Sequence, residues 1–376
     1  MDTISPFQTL EPLPISLYQS QCVIHKHEIL ICGGLYTTDC FSYHTIKNEY
    51  RYICSYPKKV ILIGHCVVKR VDTNNPNKIT LLSFGGVYKH TLIMNYVSVW
   101  DDVDDEKESK IPNDCNKWLP FTNKRNVPIC IGRKDGNYEG VRALIGGYKN
   151  NLLFITYRPK NIDVFDLNTL RYVNHDEQPV ESVICYHCLV LKPNNNVSKK
   201  KSEMILFSRS TGLAIDYDET NNTFRYYQIR VCKSIFSFHY YAYVLVNDNI
   251  LFFGGDDNGY SIESVFKYSI KENKWVHFER TLPIPLSGSV GILSEDNTYV
   301  HILGGRSGAT QVQEHMKTSV SEWMKKETGI ERERILEEAI EIEKEGVVKE
   351  RRRIERDKEK KFQERQKKLG GMYFLK

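Results

Sequence analysis

Alanine is nearly missing from this chain: five residues of 376. A helix-rich fold draws heavily on alanine, the strongest helix former, so a mainly helical protein is excluded at the outset. Long apolar runs are also lacking. No stretch of eighteen or more apolar residues occurs, so nothing reads as a membrane-spanning helix. The first residues, MDTISPFQTLEPLP, have neither a basic start nor an apolar stretch and do not form a secretory leader. Catalytic signatures are lacking as well. The chain contains no phosphate-binding GxxxxGK[ST] loop, no HExxH, no GxSxG and no paired carboxylates in a recognisable context.

Aromatic residues are plentiful: 23 Tyr and 16 Phe. Both favour strands, and with 41% hydrophobic residues there is material for a large core. The ten cysteines, without a leader, read as free thiols in a reducing, cytoplasmic setting. Several sit inside apolar strands, such as Cys32 in EILICGG and Cys54 in YRYICSY, where a thiol behaves as a small hydrophobe. The net charge of +5 is uneven. Residues 1–324 carry 35 basic and 34 acidic side chains, whereas residues 325–376 carry 17 and 13. A neutral body precedes a charged tail, so net charge says little about what the body binds.

The body repeats. An apolar strand ending in a glycine pair occurs at Gly33–Gly34, Gly85–Gly86, Gly254–Gly255 and Gly304–Gly305. A large apolar or aromatic residue followed seven positions later by an aromatic occurs at Tyr43/Tyr50, Phe165/Tyr172, Tyr217/Phe224, Tyr268/Trp275 and Met316/Trp323. A stretched version reads Trp100/Trp118, with the acidic insertion between. Apart from that unit the period is close to 50 residues. Two units lack the glycine pair in place. LLFITY (152–157) reads as the equivalent strand in the third, with Gly146–Gly147 as the preceding hairpin turn; Ser208 and Arg209 stand there in the fourth.

This pattern resembles the kelch repeat, over residues 15–325. The resemblance implies an all-β fold: a six-bladed propeller of four-stranded blades, preceded by a lead-in (1–14) and followed by a charged helical or weakly coiled-coil tail (326–376). The glycines permit backbone approaches that a Cβ forbids, and the aromatic pairs pack blade on blade. The sixth blade reads as owning all four strands, ending in SVSEWMK, so the ring is expected to close by packing without a shared strand. Trp100–Asp101 is the single Trp-Asp dipeptide and the period is long, which argues against a WD-type propeller.

The tail is rich in helix formers, with acidic residues concentrated in 331–345 and basic ones in 349–368, an order that suits the helix dipole. Thr328 is placed to cap its start and Gly370–Gly371 to end it. Such a rod would measure about 60 Å. Its apolar seam (Ile335, Ile340, Ile342, Val347, Ile354) is thin, which leaves a weak coiled coil with self-association through 328–369, a solvated single helix, and disorder all open.

Other candidates carry less. Cys185-Tyr186-His187-Cys188 has metal-like spacing but no second cluster, and its alternation suits a strand. Asp101–Glu106 lacks the order of a calcium loop, and Lys199–Lys201 is too short to argue for nucleic acid. Asn196-Val197-Ser198 is a glycosylation sequon with no leader to expose it. In a propeller the loops joining second to third strands share one face. They place Arg158, Arg209, Asp256, Asp257 and Arg306 around the channel mouth, where Arg158, Arg209 and Arg306 read either as a cationic set for an acidic peptide or as ordinary solvated charges. The expectation is a non-enzymatic interaction scaffold with unidentified protein partners, no nucleic acid, no membrane, no metal and no cofactor. The alternatives are a cytoskeleton-associated linker acting through the tail, and a propeller enzyme of oxidase or sugar-isomerase type. The start of the repeats near residue 15 leaves no preceding adaptor domain in this sequence, which weakens a ligase-adaptor reading.

Overall fold

Six four-stranded antiparallel sheets follow one another along the chain, each built mostly from strands of four to eight residues rich in β-branched and aromatic side chains. The computed structural model describes residues 5–71, 79–100, 114–193, 200–344, 355–356 and 359. The acidic insertion at 101–113, the loop at 194–199 with its sequon, and most of the tail beyond 344 lie outside the described residues.

The first blade consists of Cys22–His25, Glu28–Gly34, Thr37–His44 and Glu49–Ser55, from the innermost strand outward. The second is His65–Val71, Ile79–Gly85, His90–Tyr96 and Leu119–Pro120; the third is Asn137–Gly146, Leu152–Arg158, Asn161–Asp166 and Arg171–Glu177. The fourth is Cys188–Leu191, Lys201–Ser208, Thr211–Asp218 and Thr223–Gln228, and the fifth Ala242–Val246, Asn249–Phe253, Val265–Ser269 and Lys274–His277. The sixth takes Val290–Leu293, Tyr299–Leu303 and His315–Ser319 from the end of the body and its outermost strand, Phe7–Thr9, from the N-terminus. This is a six-bladed β-propeller.

That last strand corrects the expected closure. Phe7, Gln8 and Thr9 pair with Thr318, Lys317 and Met316, so the two ends of the body share one sheet and the lead-in belongs to the ring. SVSEWMK is not a strand: Val320–Trp323 forms a single helical turn capped by the Ser319 side chain. Trp323 therefore leaves the strand register, and Phe7 opposite Thr318 takes the place that Trp275 opposite Tyr268 has in the fifth blade. The indole is still buried beside the last blade. It packs on Phe7, Phe253 and Phe278 at centroid distances of 5.6, 5.6 and 5.0 Å and donates to Thr318 Oγ1.

The seven-residue aromatic spacing is a hairpin register. Tyr43 and Tyr50, Phe165 and Tyr172, Tyr217 and Phe224, and Tyr268 and Trp275 are direct cross-strand partners. In the second blade the ladder puts Met94, not Trp100, beside Trp118, since Ile93 pairs with Leu119. Trp100 lies outside the strands, bonds to Ser42 Oγ and carries the Arg51 guanidinium 4.4 Å above its ring. The apolar core is not central. It fills the gaps between neighbouring blades, with separate buried clusters between blades one and two, two and three, three and four, four and five, and six and one.

Glycine pairs sit where a second strand meets the segment entering the next blade. Gly304 has φ +59°, and a Cβ there would stand 2.4 Å from the Leu17 carbonyl oxygen. Gly305 then donates its N–H to that carbonyl at 2.7 Å. The fifth blade repeats the device at Gly254, Gly255 and Leu286. In the third blade, LLFITY is the second strand and Gly146–Gly147 leads into the hairpin turn before it.

Met1–Lys326 and Glu327–Lys376 are separate units. In the second, residues 329–344 are helical. Thr328 and Glu331 form a reciprocal capping box: each backbone N–H is held by the other's side chain, at 2.9 and 3.2 Å. The expected forty-residue rod is thus described for 16 residues only. No helix among the described residues is long and apolar enough to cross a membrane.

Deleting residues 1–10 removes the closing strand and the Phe7 contact with Trp323, and is expected to lower the urea midpoint sharply and broaden the transition. Gly304→Ala and Gly308→Ala separate strain from collision, because both glycines have φ +59° but nothing lies within 4 Å of a Cβ at Gly308. Gly308→Ala should cost roughly 1–2 kcal/mol and Gly304→Ala clearly more, read as urea unfolding free energies.

Candidate functional site

The segment entering each innermost strand carries one residue in the left-handed region: Gln19, Gly64, Gly140, Tyr186, Tyr240 and Gly288, with φ from 48° to 67°. Together they form the lip of the central channel. Backbone hydrogen bonds run from blade to blade around it, from Gln19 to Gly288, Gly140 to Gly64, Tyr186 to Gly140 and Gly288 to Tyr240, at 2.7–2.9 Å. The three glycines make room for rings. A Cβ at Gly288 would lie 2.1 Å from the Tyr18 ring, and one at Gly140 2.6 Å from the Tyr186 ring. Tyr186 stacks on Tyr240 at 4.1 Å, and Tyr240 on Tyr18 at 6.2 Å. The Tyr186 hydroxyl lies 3.2 Å from Gln19 Oε1, reaching from the fourth blade to the first. A row of three tyrosines thus crosses the mouth. Burial raises all three phenol pKa values, so the hydroxyls stay neutral.

In the second, fourth and fifth blades the next position points into the gap between blades. His65 Nε2 meets the Cys32 carbonyl at 3.0 Å, Tyr241 donates to the Phe207 carbonyl at 2.7 Å, and His187 Nε2 meets Thr156 Oγ1 at 2.6 Å. Each ties an innermost strand to the second strand of the blade before it. Cys185, Tyr186, His187 and Cys188 therefore do not converge: Cys185 is half-buried near Arg158 and Arg209, Tyr186 lies on the lip, and His187 and Cys188 are buried. Among the described residues no group of three or more His, Cys, Asp or Glu is placed to hold a metal ion.

Around the lip lie the loops between second and third strands. Arg158 pairs with Glu139 at 2.6 Å. Arg209 Nη2 lies 3.2 Å from His239 Nε2, while His239 Nδ1 lies 3.1 Å from the Asp256 carbonyl oxygen. These contacts fit the tautomer with the proton on Nδ1. Burial, with Arg209 second, lowers the His239 pKa and keeps the ring neutral. The buried Asp256 carboxylate faces Arg306 at 3.5 Å, and Arg306 in turn lies over Tyr18 at 5.3 Å. Asp256 and Asp257 start a two-strand ribbon with Tyr260–Ser261, and Arg306–Ser307 starts a matching one with Thr310–Gln311. Arg158 and Arg306 are thus each matched by a carboxylate, whereas Arg209 is exposed and bonded to a neutral imidazole. The corresponding loops of the first, second and fifth blades carry three solvent-facing tyrosines, Tyr36, Tyr88 and Tyr260, at 70%, 60% and 77% exposure.

Sequence reasoning missed Tyr18, Glu139, Tyr186 and Tyr240 as parts of the mouth. The shared signal is a left-handed residue just before each innermost strand, or inside it at Gly140, but Gln, Gly and Tyr all fill it, so no motif marks it.

No protein-family model matches the chain, and no curated protein matches it. Among solved structures, one titled "Structure of YjhT" aligns with a TM-score of 0.54, covering 82% of this chain and 96% of that chain at 12% identity. At that identity the likeness concerns the fold alone, a β-propeller.

Burial holds His65 at a pKa of about 3 and His90 and His301 at about 4, below the ordinary 6.5. In the unfolded chain these rings bind protons from pH 6.5 downward, so the unfolded state gains protons first. Stability should be level above pH 7 and fall as pH drops from 6.5 toward 4, each ring contributing up to about 1.4 kcal/mol per pH unit. Melting curves between pH 7.5 and 4.5 check this, and His90→Gln should flatten the slope.

Proposed function

We propose that the chain is a divergent kelch-type propeller that acts, without catalysis, as a cytoplasmic protein-interaction module. The repeat of glycine pairs and cross-strand aromatics supports the kelch reading. The binding face is the one bearing the channel mouth. One observation carries this: the loops between second and third strands of three blades each present a tyrosine more than half exposed, and those of the other three present Arg158, Arg209 and Arg306 on the same face. Tyrosine and arginine dominate the energetics of protein interfaces because they bring large contact area and planar hydrogen bonding together. Arg209 supplies the charge without a carboxylate partner, so an acidic segment of a partner protein fits best. The charged helix that begins at Thr328 serves assembly or positioning.

The test is capture followed by identification and titration of the bound protein. Arg209→Glu and Tyr260→Ala should each weaken the identified partner by about tenfold or more. Lys149→Glu, in the turn between the first and second strands of the third blade, should leave binding unchanged, because that turn is on the opposite face. Equal binding by all three variants would remove this face from consideration. A stoichiometric copper signal in the purified protein would point instead to an oxidase-type enzyme.

A further inference from the structure

Beneath the tyrosine row, the central channel encloses a cavity of about 190 Å³. All six blades contribute to its wall, and among the described lining residues one carries a formal charge, Arg142. Its Nη1 donates to the Val141 carbonyl at 3.0 Å, and its guanidinium carbon lies 6.0 Å from the Tyr186 ring centroid. No described carboxylate pairs with it. Glu139, three residues away, is bonded to Arg158 and Tyr186 instead.

The other ionisable groups of the wall cannot neutralise this charge. Burial pushes the Cys66 thiol up to about 11 and the Cys22 thiol and Tyr243 phenol up to about 12. All three are uncharged at neutral pH. A guanidinium that faces a channel without a counter-charge is free to pair with an anion that enters it.

We infer that the channel is a binding site for a small oxyanion, held by the Arg142 guanidinium. The volume sets the class. A space of this size suits phosphate, sulfate or a short carboxylate. A planar guanidinium matches such oxygens two at a time. This site is separate from the interaction face proposed above and does not depend on it.

The test is isothermal titration and thermal shift of the full chain at low ionic strength with sodium phosphate, sodium sulfate and sodium acetate, and sodium chloride as the control. Saturable binding with a Kd of about 1 mM or tighter, and a melting temperature that rises with oxyanion concentration, are expected for at least one of the three. Preference for phosphate and sulfate identifies an inorganic or phosphoryl ligand; preference for acetate identifies a carboxylate; either supports the site. Arg142→Gln should lose the binding while melting, without ligand, at or above the wild-type temperature, because it removes an unpaired charge. Arg142→Lys should fold and bind more weakly, and it replaces the Gln variant as the readout should that variant not fold. Arg209→Glu should bind as wild type. The inference is overturned if no oxyanion binds saturably, if Arg142→Gln, or Arg142→Lys in its stead, binds as tightly as wild type, or if binding follows Arg209 instead.

Discussion

Three residues hold the two ends of the body together. Phe7, Gln8 and Thr9 complete the sixth sheet as its outermost strand, and without them the outward backbone groups of His315–Ser319 would lose their partners. Every other blade draws its four strands from one continuous stretch and is joined to its neighbours by the chain. The last and first blades have this strand pairing and the apolar cluster around Leu13, Leu17, Ile29, Ile31, Tyr43 and Leu303. A ring is stable only if every gap between blades is filled, because each sheet buries its faces against both neighbours. Closure therefore matters to blades that never touch Phe7.

Closure also shapes the mouth. The segment after the closing strand passes Leu13 and Leu17, seats the Leu17 carbonyl against the Gly304–Gly305 pair, and delivers Tyr18 and Gln19 to the lip. Tyr18 then stacks on Tyr240 and carries Arg306 above its ring. The N-terminal segment is thus at once the last strand of the sixth blade and the entry to the first. The loop face of the mouth and the channel beneath it share the tyrosine row as a boundary. Paired charges and exposed rings lie outside it; an unpaired guanidinium and neutral thiols lie inside.

Much of the architecture is legible in the sequence because it follows from local rules. A pair of aromatics seven residues apart, as at Tyr268 and Trp275, is what a short hairpin imposes on cross-strand partners. The capping box at Thr328 and Glu331 needs only the first turn of its own helix. The readings that failed were those where spacing imitated pairing. Trp323 stands seven residues after Met316, but Ser319 caps a helical turn instead of continuing a strand, and Phe7–Thr9 supplies the pairing strand from the far end of the chain, with Thr9 opposite Met316 and Phe7 opposite Thr318. Trp100 was the more conspicuous aromatic, yet the ladder places Met94 opposite Trp118. The mouth was half legible. Loop topology places Arg158, Arg209 and Arg306 on one face, but what each meets, Glu139, His239 and Asp256 in turn, comes from other segments.

The sequence by itself determined the class of fold, the number of blades and the division between a neutral body and a charged tail. These depend on composition and on periods within some fifty residues. Only the tertiary structure decided how the ring closes, which side chains cross the channel mouth, and that Arg142 faces its cavity without a counter-charge. Those features join residues more than a hundred positions apart, such as Gln19 with Tyr186, or Phe7 with Thr318. Short-range periodicity carries no information about such pairs, since the closed ring alone brings them together.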